Sequence, residues 1–193
     1  MKDSVLRKAR ESARVAQALL ERDAGKLEEC CHQVAARFAK GGRLWLMGNG
    51  GSACDAQHIA VEFQHPIIEK RKALPAIALT TDTATITAIG NDRDFTLVFA
   101  EQLQLLGARG DIALGISTSG QSSNVVRGIE TARRLGMLTI AFSGRDGGRL
   151  AEVAEHCFVV PAFSIHRIQE AHTLLLHLLW DGVHMAMGEE DVL

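Results

Sequence analysis

Along the first 39 residues apolar side chains recur every three to four positions, with Val5, Ala9, Ala13, Ala16 and Leu20 on one stripe. That is the period of a helix covered on one side. Asp23 is placed to restart a second helix running to Phe38, and Gly41 and Gly42 mark its end. After residue 42 the pattern changes. Short apolar runs (RLWLM, PAIAL, DIALGI, LTIAF and CFVV) alternate with longer amphipathic stretches. Runs without polar interruption suit strands buried on both faces, and strands alternating with helices imply a parallel sheet covered on both sides. A leucine-rich segment from Ser164 to Met187 reads as a long final helix. The expected fold class is α/β: a three-layer, doubly wound parallel sheet of about five strands. It occupies residues 41–193 and follows an N-terminal helical extension at residues 1–40. Such an extension can pack on its own domain or against another subunit, and its length favours the second.

Composition narrows the ligand classes. The 193 residues are 47% apolar and 23% charged, with a formal net charge of −2. No basic excess is present to neutralise a phosphate backbone. Aromatic content of 5%, with no tyrosine, leaves few platforms for stacking bases, so nucleic acid is not expected as a partner. The charged N-terminus lacks the apolar centre of a secretory signal, and no apolar run approaches membrane-spanning length. Cys30, Cys31, Cys54 and Cys157 form no C-x-x-C pair, which fits reduced thiols in a cytoplasmic protein.

The first apolar run ends in GNGGSACDAQH. Gly48, Gly50 and Ala53 match a G-x-G-x-x-A dinucleotide fingerprint. That reading needs an acidic residue about 20 positions further on to hold a ribose. The next strand arrives late and its first acidic residue is Asp82, so the dinucleotide reading fails. Two readings remain: a tight turn with Ser52 as N-cap, or a loop whose Asn49, Gly50, Gly51 and Ser52 meet a smaller polar ligand at a helix N-terminus. The third run is followed by STSGQSSN, in which Ser117, Thr118, Ser119 and Ser122 gather four hydroxyls at another strand end. No lysine follows, so this is not a nucleoside triphosphate loop. Hydroxyls beside a helix N-terminus suit one phosphomonoester, and a single cap needs only one of them.

Two further pairs carry candidate chemistry. His58 and Glu62 stand four apart, on one helix face, and are ordinary zinc ligand types. Gln169 and His177 are eight apart on the final helix, with His172 as a competing candidate. Taken by spacing alone, the first pair reads as a surface contact and the second helix as a packing helix with satisfied imidazoles.

GNGGSACDAQH, the GND at Gly90–Asp92, GISTSGQSSNV and RIQEAHTLLLH, in that order, resemble the sugar isomerase (SIS) fold and specifically the bacterial phosphoheptose isomerases. The resemblance runs over nearly the whole chain. It implies interconversion of sedoheptulose 7-phosphate and glycero-manno-heptose 7-phosphate, early in the supply of ADP- or GDP-heptose for envelope polysaccharide such as lipopolysaccharide. It also implies a cytoplasmic homotetramer that uses one zinc ion per site. The positions matching the family's metal ligands are His58, Glu62, Gln169 and His177. Glu62 and His177 also match its acid–base pair. Asn49, Gly50, Gly51, Asn91, Asp92 and Gln169 match positions that contact sugar or phosphate. Two stretches depart from the pattern. Relatives continue after Glu62 with a Gly-Arg-aromatic turn where this chain reads FQHPIIEKRKALP, and His166 stands where many have an acidic residue. The alternatives are an isomerase for a different phosphosugar and a catalytically inactive paralogue that binds the replication initiator protein. Such paralogues lack the histidine and glutamate that His58 and Glu62 supply. A sugar-phosphate sensor would need a DNA-binding domain for which the chain has no room.

Overall fold

A computed structural model describes residues 1–67 and 70–191. The five apolar runs become five parallel strands: β1 (Leu44–Gly48), β2 (Ala76–Ala78), β3 (Ile112–Ser117), β4 (Leu138–Gly144) and β5 (His156–Val160), in the order β2-β1-β3-β4-β5. Alternation along each strand explains why the runs are apolar throughout. In β1, Leu44 and Leu46 face one core, and Trp45 and Met47 face the other. In β3 the same split separates Ile112, Leu114 and Ile116 from Ala113. Both faces are dry, as a parallel sheet requires.

The first core is closed by α1 (Lys2–Ala39), α2 (Gly51–Gln64) and α7 (Ile165–Ala186). On the other face lie α3 (Thr83–Asp92), α4 (Val98–Leu106), α5 (Ser123–Arg134) and the short α6 (Leu150–Val153). No described helix is long and apolar enough to cross a membrane.

The structure corrects the expectation at Asp23. Helix α1 does not restart there; it is one continuous element. Asp23 is buried, and its carboxylate takes two hydrogen bonds from the Arg22 guanidinium at 2.8 and 2.6 Å. Neutralised in this way it has no call on backbone N–H groups, and the helix runs through. From Leu19 onward α1 belongs to the core of its own domain, whereas Val5 and Leu6 near its start are exposed.

Both edges of the sheet are covered. Arg22 donates to the Val159 carbonyl at 2.7 Å and Lys26 to that of Cys157 at 2.5 Å, so α1 occupies the outer acceptors of β5. At the other edge, β2 is only three residues long and Gln64 donates to the Ala76 carbonyl.

Candidate functional site

In the order β2-β1-β3-β4-β5 the chain winds outward in opposite directions from β1 and β3. The crevice between their carboxyl ends is where open α/β sheets collect ligands. The loops singled out after β1 and β3 are the two that meet there.

The turn after β1 brings α2 in under glycine control. Ser52 is not its N-cap; that position is Gly50, at φ +54°, and no side chain caps the first turn. Ser52 is instead buried. A Cβ at Gly51 would overlap the side-chain amide of Gln169, so the missing side chain lets α7 bring that amide to the mouth of the loop.

After β3, Ser117 Oγ lies 2.9 Å from Ser122 Oγ and 3.5 Å from Ser119 Oγ, and Ser119 accepts the Gln121 N–H at 3.2 Å. Ser122 occupies the N-cap position of α5 but makes no side-chain cap. Its hydroxyl turns toward Ser117, and the three serines form one cluster beside the helix N-terminus. Gly120, at φ +67°, folds the turn tightly against the Gly147 carbonyl, where any Cβ would clash.

A second cluster lies between α2 and α7. His58 Nε2 and His177 Nε2 face each other at 3.3 Å, with the rings edge-to-face at 80°. Glu62 Oε1 stands 3.5 Å from His58 Nε2. The side chains of His58 and Glu62 are 37% and 26% exposed, so a ligand can reach them. Helical spacing puts His58 and Glu62 on one face, and the packing of α7 on α2 brings His177 to it from 119 residues away. Asp55, one turn before His58, has a buried Oδ2 without a hydrogen-bond partner, and burial pushes its carboxyl up.

The last turn of α2 explains how Glu62 is held. The Glu62 carbonyl would ordinarily accept the N–H of residue 66, but Pro66 has none. The Trp180 indole N–H donates to it instead, at 3.0 Å. The neighbouring carbonyls of Val61 and Phe63 accept the N–H groups of His65 and Leu74. Trp180 is held in turn. The Arg71 guanidinium stacks 4.4 Å from its ring centroid and pairs with Asp181, and the buried His184 ring meets Trp180 edge-on, 5.1 Å between centroids. The arginine of the divergent FQHPIIEKRKALP stretch is thus built into the support beneath Glu62. Residues 68 and 69 of that stretch lie outside the described residues.

Not every expected residue joins these clusters. His172 is fully buried and its Nε2 meets the Ser143 carbonyl at 3.0 Å, which removes it as a competing ligand. Asn91 and Asp92 end α3, exposed and hydrogen-bonded to each other at 2.7 Å. Thr118 is half-buried in the serine loop and His166 is exposed at the start of α7. The Gln169 amide lies beside Gly51, about 12 Å of helical rise from His177 along α7.

The donor set suits a divalent ion. Two nitrogens on one tetrahedral zinc, each at about 2.0–2.1 Å, lie about 3.3 Å apart, and that is the spacing of the His58–His177 pair. Among the described residues no group of three or more His, Cys, Asp or Glu side chains stands arranged to hold a metal ion, so Glu62 would have to move closer to complete a site. His58 and His177 are an open pair with the Glu62 carboxylate at its side.

Residues that spacing did not reveal are Trp180, Asp55 and Asn124. The last is buried at the start of α5 and exchanges hydrogen bonds with Asn49 across the crevice.

Comparison with known proteins agrees with this geometry. Residues 9–144 match the family described as the SIS domain. The chain is 49% identical over 177 residues to the phosphoheptose isomerase of Desulfovibrio desulfuricans, covering 92% of this chain and 84% of that one. It is 46% identical to that of Aquifex aeolicus, covering 99% and 100%. Solved structures of phosphoheptose isomerases from Neisseria gonorrhoeae and Francisella tularensis superpose with TM-scores of 0.88 and 0.90, at 38% and 34% identity. They cover 94% and 95% of this chain, which in turn spans 97% of each. The chain therefore belongs to the phosphoheptose isomerases, enzymes built on the SIS domain.

Proposed function

We propose that the chain interconverts sedoheptulose 7-phosphate and D-glycero-D-manno-heptose 7-phosphate through a cis-enediol, and that it is a cytoplasmic homotetramer with one zinc ion per site. The observation that carries the reading is the convergence of His58 Nε2, Glu62 Oε1 and His177 Nε2 from two helices, beside a crevice with a hydroxyl-lined anion loop.

The ketose carries its carbonyl at C2 and the aldose at C1, so one proton must leave C1 and return at C2. Glu62 is the base: its carboxylate takes the C1 proton and delivers it to C2. His177 services the oxygens, giving a proton to O2 as the enediol forms and receiving the O1 proton as the aldehyde forms. Ser117, Thr118, Ser119, Ser122 and the N-terminus of α5 hold the phosphate. Binding there, far from the reacting carbons, keeps C1 and C2 in register with the base. Asn49, Gly50, Gly51, Ser52 and Gln169 line the sugar end, and Asn91 and Asp92 complete the substrate contacts. His58, Glu62 and His177 would hold the zinc, which when bound supplies positive charge beside the developing enediolate. Gln169, at the mouth of the glycine loop, would complete the ligand set as well as contact the sugar.

The exposed apolar start of α1 supports residues 1–40 as the element through which subunits associate. The direct test incubates purified protein with sedoheptulose 7-phosphate and measures aldose, before chelation, after it, and after zinc is restored, alongside native mass. Aldose should form, disappear on chelation and return with zinc. No aldose from zinc-loaded protein would defeat the proposal.

A further inference from the structure

The loops after β1 and β3 are joined side chain to side chain. Asn124, 4% exposed, donates from Nδ2 to Asn49 Oδ1 at 2.8 Å. Its Oδ1 accepts from Asn49 Nδ2 at 2.9 Å. The same Oδ1 also accepts the backbone N–H of Val125 at 2.9 Å.

The third bond matters most. A carboxamide turned by 180° keeps its shape and exchanges donor for acceptor, so an isolated asparagine pair has two equivalent arrangements. A backbone N–H can only donate. The Asn124 atom facing Val125 must therefore be oxygen, and its other terminal atom must be the NH2 group. Asn49 must then turn its oxygen to that NH2 group and its own NH2 to the Asn124 oxygen. What Asn49 has left, one N–H and one oxygen lone pair, is fixed in direction by the backbone of α5. A sugar hydroxyl, which both donates and accepts, complements that remainder. Without the pairing, Asn49 would be a half-exposed side chain in a glycine turn, free to change rotamer.

We infer that Asn124 is a positioning residue for the isomerisation: it sets the rotamer and amide orientation of Asn49. Through the same bonds it ties the sugar end of the crevice to the helix whose N-terminus faces the phosphate. The inference rests on the proposed roles of Asn49 and of the serine loop.

The test has a structural and a kinetic arm. In 15N-labelled protein, the Asn49 side-chain amide is assigned by its loss in Asn49→Ala. Its two protons should be widely split in the parent protein and collapse toward free-amide positions in Asn124→Ala. In the kinetic arm, Asn124→Ala should lower kcat/KM for sedoheptulose 7-phosphate by about 10- to 100-fold, while inhibition by inorganic phosphate stays within about twofold. The double variant Asn49→Ala/Asn124→Ala should lose no more than Asn49→Ala alone, because the second residue acts only through the first. Asn124→Asp keeps both acceptor functions, removes the donor, and serves if the alanine variant folds poorly. Losses that multiply in the double variant, or Asn124 variants within about twofold of the parent, would overturn the inference. If the parent protein neither isomerises the sugar nor responds to phosphate, the proposed function fails separately. An Asn49 amide unmoved in Asn124→Ala, or an Asn49 side-chain carbonyl carbon unmoved in Asn124→Asp, then overturns the pairing on its own.

Discussion

Two histidines on α7 make the most instructive comparison in the molecule. His177 and His172 are five residues apart, which turns them about 140° from each other around the helix. His177 looks outward across α2 to His58 and Glu62. His172 looks inward, 0% exposed, and its ring meets the Ser143 carbonyl at the end of β4. The same side chain joins a ligand-accessible cluster on one face and packs into the core on the other. Burial holds the His172 imidazole down to about 4, so it stays neutral where an exposed one begins to charge. The comparison predicts that outward changes move kinetics and leave stability alone, and that inward changes do the reverse.

The largest effect should come from Glu62→Gln, which keeps the shape and removes the proposed base. Turnover should fall by about 10²- to 10⁴-fold, with a melting temperature equal to that of the parent; a melting shift as large as the kinetic loss would merge the two faces. Next, the triple change of Ser117, Ser119 and Ser122 to Ala should weaken inhibition by inorganic phosphate about 100-fold, since each hydroxyl lost is a hydrogen bond to an anion.

Acid should then expose the inward face. An unfolded imidazole titrates near 6.5 and the folded His172 at about 4. Between those values the unfolded chain binds more protons, so stability falls as pH falls through that window, by about 3 kcal/mol in total. His156 and His184 are lowered by burial in the same direction. Denaturation from pH 7 to pH 4 should therefore show the slope in the parent and a shallower one in His172→Leu, whose turnover per folded molecule is unchanged. The smallest effect belongs to Trp180→Phe. It strips the donor from the Glu62 carbonyl that Pro66 cannot supply, costing about 1 kcal/mol in chemical denaturation.

How much of this was legible in the sequence depends on the range of the interaction. Strands β1 to β5 and the long helices were readable because each is fixed by a local period. The two loops were readable because glycines and serines are unusual in concentration there. Asp23 misled because a carboxylate in a helix suggests a cap, and only the guanidinium beside it shows otherwise. His172 was left open between ligand and packing group because leucine-rich spacing does not say which side of a helix meets the sheet, and the packing reading holds. Trp180 and Asn124 gave no signal at all, and the pairing of His58 with His177 was legible only through the resemblance to the family, not through spacing. Each depends on a contact over 75 residues or more, and sequence spacing carries nothing about such contacts without the fold.

The covered rims of the sheet restrict how copies of this chain can join. With Arg22 and Lys26 seated on the outer carbonyls of β5, and Gln64 on the short opposite margin, neither side offers a ladder to an incoming strand. Self-association by sheet extension, with its drift toward open-ended fibres, is thereby discouraged. Association through other surfaces can instead close on itself and stop at a finite number of copies.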